Sequence, residues 1–241
     1  MTTINQDEIQ KFSTLADEWW DVNGKFKPLH MFNPIRIEYI RNSISQHFKK
    51  DLNDSLPFRD LKILDIGSGG GLVSEPMSRL GADVTGIDAS EKNIKVSTLH
   101  AKKSNLKIDY QIKSPEELDK KNYYDVVLSL EVIEHVQNVD FYLKTCCSLL
   151  KKGGLIFTAT INRTLASYIK AIIGAEYILR WLPIGTHDWN KFIKPEELES
   201  KLTGFDIAIQ DIKGLSFNPI NQKWKQSKDT SVNYILTGSK N

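Results

Sequence analysis

In the stretch LDIGSGGG, Gly67, Gly69, Gly70 and Gly71 fall within five positions, and Asp88 follows Gly67 by 21 residues. Without side chains, such a turn lets the backbone approach a ligand, and a helix beginning there adds free amide donors and partial positive charge. An acid about 20 residues further on, at the end of the next strand, is placed to meet ribose hydroxyls. The spacing predicts an adenosine-type site. A dinucleotide fingerprint asks for glycine at position 72, which is Leu72 here, and the fit is instead to G-x-G-x-G preceded by Asp65. S-adenosylmethionine has no pyrophosphate to set against the helix, and its sulfonium and ammonium groups tolerate a nearby acid. The residues therefore favour the methyl donor over a nicotinamide cofactor.

A second group lies in EVIEHV, where Glu131, Glu134 and His135 stand at i, i+3 and i+4. If a helix starts here, the three share one face and could converge on a cation. An oxygen-rich set with one nitrogen suits Mg²⁺ or Mn²⁺ better than a zinc cage. The plainer alternative is that two acids near a helix start complement its dipole while His135 lines a pocket. His187 beside Asp188, in GTHDW, is the competing candidate for a protein base. Trp19, Trp20 and Trp189 either wall an aromatic acceptor or fill a core.

These residues need elements to hold them. Residues 5 to 20 place Ile9, Phe12, Leu15, Ala16 and Trp19 at helical spacing. FNPIRIEYIRNSI predicts a second helix, with Asn33 as N-cap, Pro34 at the first position, and Ile37, Ile40 and Ile44 on one face. From Leu61 onward short apolar runs (KILDIG, ADVTGID, KIDYQI, YDVVLSL, LIFTAT) alternate with segments long enough for crossover helices. That alternation predicts an α/β fold with a parallel sheet covered on both faces. A greasy stretch after Thr160 carries apolar stripes interrupted by Lys170, Glu176 and Arg180, too often for a membrane span.

Composition narrows the classes. Net charge is +2, from 32 basic and 30 acidic side chains, which gives no basic stripe for nucleic acid. Cys146 and Cys147 are adjacent, poor geometry for a disulfide and no metal spacing, so a reducing cytosol is expected. The first residues show neither a basic nor an apolar region of an export signal.

Through LDIGSGGG, GIDAS, YDVVLSLEVIEHV and LLKKGG, Ile63 to Thr160 resembles the class I S-adenosylmethionine-dependent methyltransferases. The resemblance implies a Rossmann-like, seven-stranded sheet whose final hairpin, from DIAIQDI and VNYILTG, is reversed. EWWD, PLHMFNPIRIEYI, the long INRTLASYIKAIIGAEYILRWLPIGTHDWNKFIKPEEL segment and GLSFNPI narrow it further. They resemble the ubiquinone biosynthesis O-methyltransferase family, over nearly the whole chain from about Trp19 to Gly238. Departures are Ser68 where a Cys is frequent, Leu130 in place of a Met, and a longer linker before the sheet.

That resemblance implies a cofactor set of Arg36, Gly67, Gly69, Asp88 and Leu130, with Arg36 on the methionine carboxylate. A guanidinium suits that carboxylate through two parallel hydrogen bonds. It implies Glu131, Glu134 and His135 as the site where some members use a divalent ion such as Mg²⁺. It further implies O-methylation of 2-polyprenyl-6-hydroxyphenol and demethylubiquinol. Each isoprene unit holds such an acceptor in lipid by roughly 3 to 4 kcal/mol, at about 0.8 kcal/mol per buried CH₂.

The expectation is therefore a single domain: a helical prelude over 1–60, a cofactor core over 61–160, an acceptor and membrane-contacting insertion over 161–194, and sheet completion over 195–241. Within the insertion, residues 162 to 187 are expected to form a lid, with Trp181, Lys170 and Arg180 near lipid headgroups. The expected setting is cytoplasmic, peripheral on the inner face of the membrane, with other ubiquinone-biosynthesis enzymes as partners and no nucleic acid. Methylation of another small acceptor, or a lipid-surface scaffold that binds the cofactor without turnover, are the alternatives.

Overall fold

The computed structural model describes residues 2–169, 188–218 and 223–241, apart from the side chains of Lys11 and Phe12. Strands β1 (Lys62–Ile66), β2 (Asp83–Asp88), β3 (Asp109–Ile112), β4 (Tyr124–Leu130), β5 (Leu150–Ile161), β6 (Ile207–Asn218), β7 (Lys223–Ser227) and β8 (Asn233–Lys240) form one sheet, ordered β3-β2-β1-β4-β5-β8-β6-β7. The first five run parallel. β8 enters antiparallel between β5 and β6. This is the reversed hairpin expected from DIAIQDI and VNYILTG, with one strand more than expected, because β7 pairs antiparallel with β6 at the edge.

The helices are α1 (Gln6–Ser13), α2 (Lys27–Phe48), α3 (Ser74–Arg79), α4 (Glu91–Lys103), α5 (Val139–Leu149), the turn α6 (Leu165–Ser167) and α7 (Pro195–Thr203). Strand residues alternate between two cores, as a period of two demands. Leu64, Val127, Ile156 and Leu236 pack with Tyr142, Leu143 and Cys146 of α5 and Leu198 of α7. Ile63, Val126, Phe157 and Ile235 pack with Tyr39, Ile40 and Ile44 of α2 and Met77 of α3. Burial on both faces explains the near-continuous apolar strands. Cys146 and Cys147 are free and buried, and burial pushes the Cys147 thiol up to about 12.

Two local expectations are corrected. The predicted helix over 5–20 ends at Ser13, and a short 3₁₀ turn, Ala16–Glu18, follows. The second helix starts at Lys27 rather than after Asn33: Pro28 occupies its first turn, where a missing N–H costs nothing, and Pro34 falls inside. Asn33 is thus no cap but a buried side chain one turn before Arg36.

Candidate active site

The loops after β1, β2, β4 and β5 open into a cavity of about 1100 Å³. That exceeds what one small ligand usually needs and leaves room for a donor and part of an acceptor. Its glycine turn is built by backbone geometry. Gly67, Gly69 and Gly71 have φ of +68°, +53° and +89°, values that other residues adopt only under strain. A Cβ on Gly67 would stand 2.5 Å from Val132 Cγ2. Leu72 and Leu130, the latter at the end of β4, line the cavity beside them.

Asp88 ends β2 and reaches back over this turn. Its Oδ2 accepts from Gly69 N at 2.9 Å, and its Oδ1 accepts from Ser90 N at 2.8 Å and Asn93 Nδ2 at 3.2 Å. Burial raises its pKa, while these donors hold it down. Asp65, at the end of β1 beneath the turn, accepts from Ser74 Oγ at 2.5 Å, and burial lifts its pKa to about 6. Arg36 projects from α2, 3% exposed. It lies over the Phe32 ring, donates to Asn33 Oδ1 through Nε and Nη2, and pairs through Nη1 with Glu131 Oε1 at 3.3 Å. Burial lowers its pKa, and Glu131, Asp65 and Glu134 act against that.

The cofactor candidates Arg36, Gly67, Gly69, Asp88 and Leu130 all line this one cavity. Six carboxyl groups line it, those of Glu8, Asp65, Asp88, Glu131, Glu134 and Asp229, against the cations Arg36, Lys113 and Lys225. This balance suits a cationic sulfonium and would repel a pyrophosphate. The residues present fit S-adenosylmethionine.

The expected convergence of Glu131, Glu134 and His135 does not occur. Glu131 has φ of +57°, which breaks the chain's path out of β4, and only a single 3₁₀ turn, Ile133–His135, follows in place of a helix. The i, i+3, i+4 face is therefore lost. Glu131 turns to Arg36, Glu134 Oε2 accepts from Thr160 Oγ1 at 2.8 Å, and His135 Nδ1 lies 3.0 Å from Glu8 Oε2. Among the described residues no group of three His, Cys, Asp or Glu side chains is arranged to hold a metal ion. The residues as placed do not fit a three-ligand Mg²⁺ site. What the turn does bring together is Glu131 with Glu134: burial first, then the Glu131 charge and hydrogen bond, push the Glu134 carboxyl up to about 8.

The β5, β6 and β7 side of the cavity carries an apolar wall of Ile161, Ile169, Leu215, Phe217 and Trp224, with the Phe32 ring tilted 40° against Trp224 at 4.3 Å and Ser216, Lys225 and Ser227 beside it. Sequence reading missed this wall, since β7 carries no strand pattern in KWKQS. It also missed Asn93 and Thr160, whose roles depend on contacts across the fold. Trp189 donates from Nε1 to Thr164 O, and Asp188 caps the turn that follows by accepting from Asn190 N. His187, and with it Lys170, Arg180 and Trp181 of the expected lid, lie outside the described residues.

Comparison with known proteins agrees with this geometry. Residues 35–212 match the methyltransferase domain family. The chain is 56% identical, over its whole length and that of its relative, to a ubiquinone biosynthesis O-methyltransferase of Pelagibacter ubique (strain HTCC1062). It is 50% identical to one of Chelativorans sp. (strain BNC1), over 99% of this chain and 95% of that one. In fold it is similar to the magnesium protoporphyrin IX methyltransferase of Synechocystis PCC 6803 with bound SAM, with a TM-score of 0.63 at 16% identity over 100% of both chains. The PH0226 protein of Pyrococcus horikoshii OT3 gives 0.65 at 14%, over 96% and 99%. A glycine turn under an acid-lined cavity, on this sheet order and with these relatives, makes the chain an S-adenosylmethionine-dependent methyltransferase belonging to the ubiquinone biosynthesis O-methyltransferase family.

Proposed function

We propose that the acceptors are polyprenylated catechols, 2-polyprenyl-6-hydroxyphenol and demethylubiquinol, and that the Glu131–Glu134 pair receives the phenol proton. The observation that carries this reading is the position of that pair. It lies between the glycine turn and the apolar β5–β7 wall, with one carboxyl pushed up to about 8. A phenol with pKa near 10 is ionised only about one part in a thousand at pH 7, a deficit of roughly 4 kcal/mol. An acceptor carboxylate near 8 removes much of that mismatch. Glu131, the more exposed member, faces the ring, and Glu134 lies buried behind it. When bound, S-adenosylmethionine supplies the electrophilic methyl group. Arg36 orients its carboxylate and Asp88 its ribose, and fixing donor and phenol together is a large part of the rate enhancement.

The cavity mouth supports a lipid-held acceptor. Ile169 lines the cavity and is 50% exposed, and Leu165 and Tyr168 stand exposed beside it. Among the described residues no helix is long and apolar enough to cross a membrane. Peripheral contact with the cytoplasmic membrane surface, through the 161–194 insertion of a single catalytic domain, is the arrangement we favour. Other enzymes that process the same lipid would meet it at that surface.

The test is methyl transfer from labelled S-adenosylmethionine to a short-tailed 2-polyprenyl-6-hydroxyphenol, using chelator-stripped enzyme with and without Mg²⁺. Product in both tubes supports the carboxylate pair as sole proton acceptor. Product only with Mg²⁺ would replace that account by a cation held at Glu131 and Glu134.

A further inference from the structure

Two of the tryptophans expected to wall an acceptor, Trp19 and Trp20, lie instead on the glycine turn. A Cβ on Gly69 would stand 2.5 Å from Trp19 Cζ2, and one on Gly70 would stand 2.5 Å from Trp19 Cβ and Cγ. The bareness of the turn thus serves Trp19 as well as a ligand. Trp19 stacks on Phe26 with centroids 3.9 Å apart and donates from Nε1 to Asn93 Oδ1 at 2.9 Å. Asn93 in turn donates to Asp88. Trp20 donates to Gly70 O at 2.9 Å and stacks on His100 at 3.4 Å.

The chain before Trp19 continues across the same opening. Ser13 Oγ meets Ser90 Oγ at 2.6 Å, beyond β2, and Glu8 meets His135, beyond β4. Thr3 bonds the Glu116 carboxylate through both N and Oγ1, at 2.6 and 2.7 Å, beyond β3. Thr3, Glu8, Ile9 and Trp19 line the cavity. Residues 3–20 therefore cross the C-terminal ends of β1 to β4, the four strands that bound the cofactor side. Among their described side chains only Thr3 and Ala16 are buried. Apart from the Trp19 and Trp20 stacks, the segment is held mainly by polar latches, which open at low cost.

We infer that residues 3–20 are part of the cofactor site: a strap that closes over S-adenosylmethionine, with Trp19 as its covering residue and Asn93 as the positioning residue linking it to Asp88. The inference rests on the S-adenosylmethionine assignment. Exchange of the used cofactor then requires the strap to lift.

The experiment measures S-adenosylhomocysteine binding to the full chain by calorimetry, its dissociation by stopped-flow indole emission, and hydrogen exchange of residues 3–20 with and without it. Trp19→Ala is expected to weaken binding about tenfold, mostly through faster dissociation, and Trp19→Phe, which keeps a ring on Phe26, about threefold. In the wild type, exchange over 3–20 slows on binding by about tenfold. Unchanged affinity in a folded Trp19→Ala, or unchanged wild-type exchange despite bound ligand, would overturn the strap while leaving the cofactor assignment intact. Should Trp19→Ala not fold, wild-type exchange decides alone. A wild type that does not bind S-adenosylhomocysteine would remove both.

Discussion

Arg36 on α2 and Glu131 just past β4, 95 residues apart, form an ion pair across the floor of the cavity, 3.3 Å from Nη1 to Oε1. In the proposed reaction the pair joins the group that orients the donor to the group that faces the acceptor. Replacing one member should therefore separate two kinetic effects. Arg36→Lys keeps the charge and loses the fork, so the KM for S-adenosylmethionine should rise about tenfold. Glu131→Gln should lower kcat by about 10² with little change in that KM. Steady-state kinetics of both variants at saturating acceptor checks this.

Glu134 gives a pH dependence of known sign. Its folded pKa, about 8, lies above the ordinary value of 4.5 because of burial and the Glu131 charge. In the proposed reaction the ionised form accepts the proton, so kcat/KM should rise with pH through about 8, and Glu134→Gln should lose that limb. For stability the unfolded chain gives up this proton near 4.5 and the folded chain keeps it to about 8. The group's contribution is thus complete below 4.5 and is lost as pH climbs to 8. The melting temperature of Glu134→Gln relative to wild type should then be higher at pH 8.5 than at pH 5, by on the order of 5 °C.

Gly70 offers a test of packing that does not involve positive φ. Gly70→Ala should push Trp19 off the turn, lowering stability by about 1 to 3 kcal/mol. In a Trp19→Ala background the same change should cost less than half as much, because the clashing ring is gone. Equal costs in the two backgrounds, read by urea unfolding, would place the strain elsewhere.

At the cavity mouth, Leu165 and Ile169 are 72% and 50% exposed. Leu165→Glu with Ile169→Glu should weaken binding to anionic liposomes several-fold. It should reduce turnover of a long-tailed acceptor embedded in them while sparing a short-tailed soluble one. Equal loss on both acceptors would mean that these residues serve the ring site and not lipid contact.

Much of this was legible in the sequence because local chemistry and fold agreed. Four glycines after a buried strand, and Asp88 one strand later, can be read from spacing alone, and the structure puts them on one turn. The alternation of strand and helix likewise fixed the parallel half of the sheet. What failed was reading a continuous helix where one residue departs from it. Nothing in EVIEHV announces that Glu131 takes φ of +57°, and with that turn Glu131 and Glu134 stay together while His135 goes to Glu8. Asn33 misled in the same way: Asn before Pro is a strong start signal, yet Pro28 six residues earlier had already started the helix. Asn93, Thr160 and Trp19 act through contacts 74, 26 and 50 or more residues away, which no local pattern reports.

The central claim is methyl transfer to a polyprenylated catechol, with the cofactor held by Arg36, the glycine turn and Asp88. The most direct measurement is transfer of labelled methyl from S-adenosylmethionine to short-tailed 2-polyprenyl-6-hydroxyphenol, with wild type and Asp88→Ala side by side and Mg²⁺ present. A singly methylated product with wild type, and a KM for S-adenosylmethionine raised about tenfold or more in Asp88→Ala, is the predicted result. No product from wild type that demonstrably binds S-adenosylmethionine would contradict it.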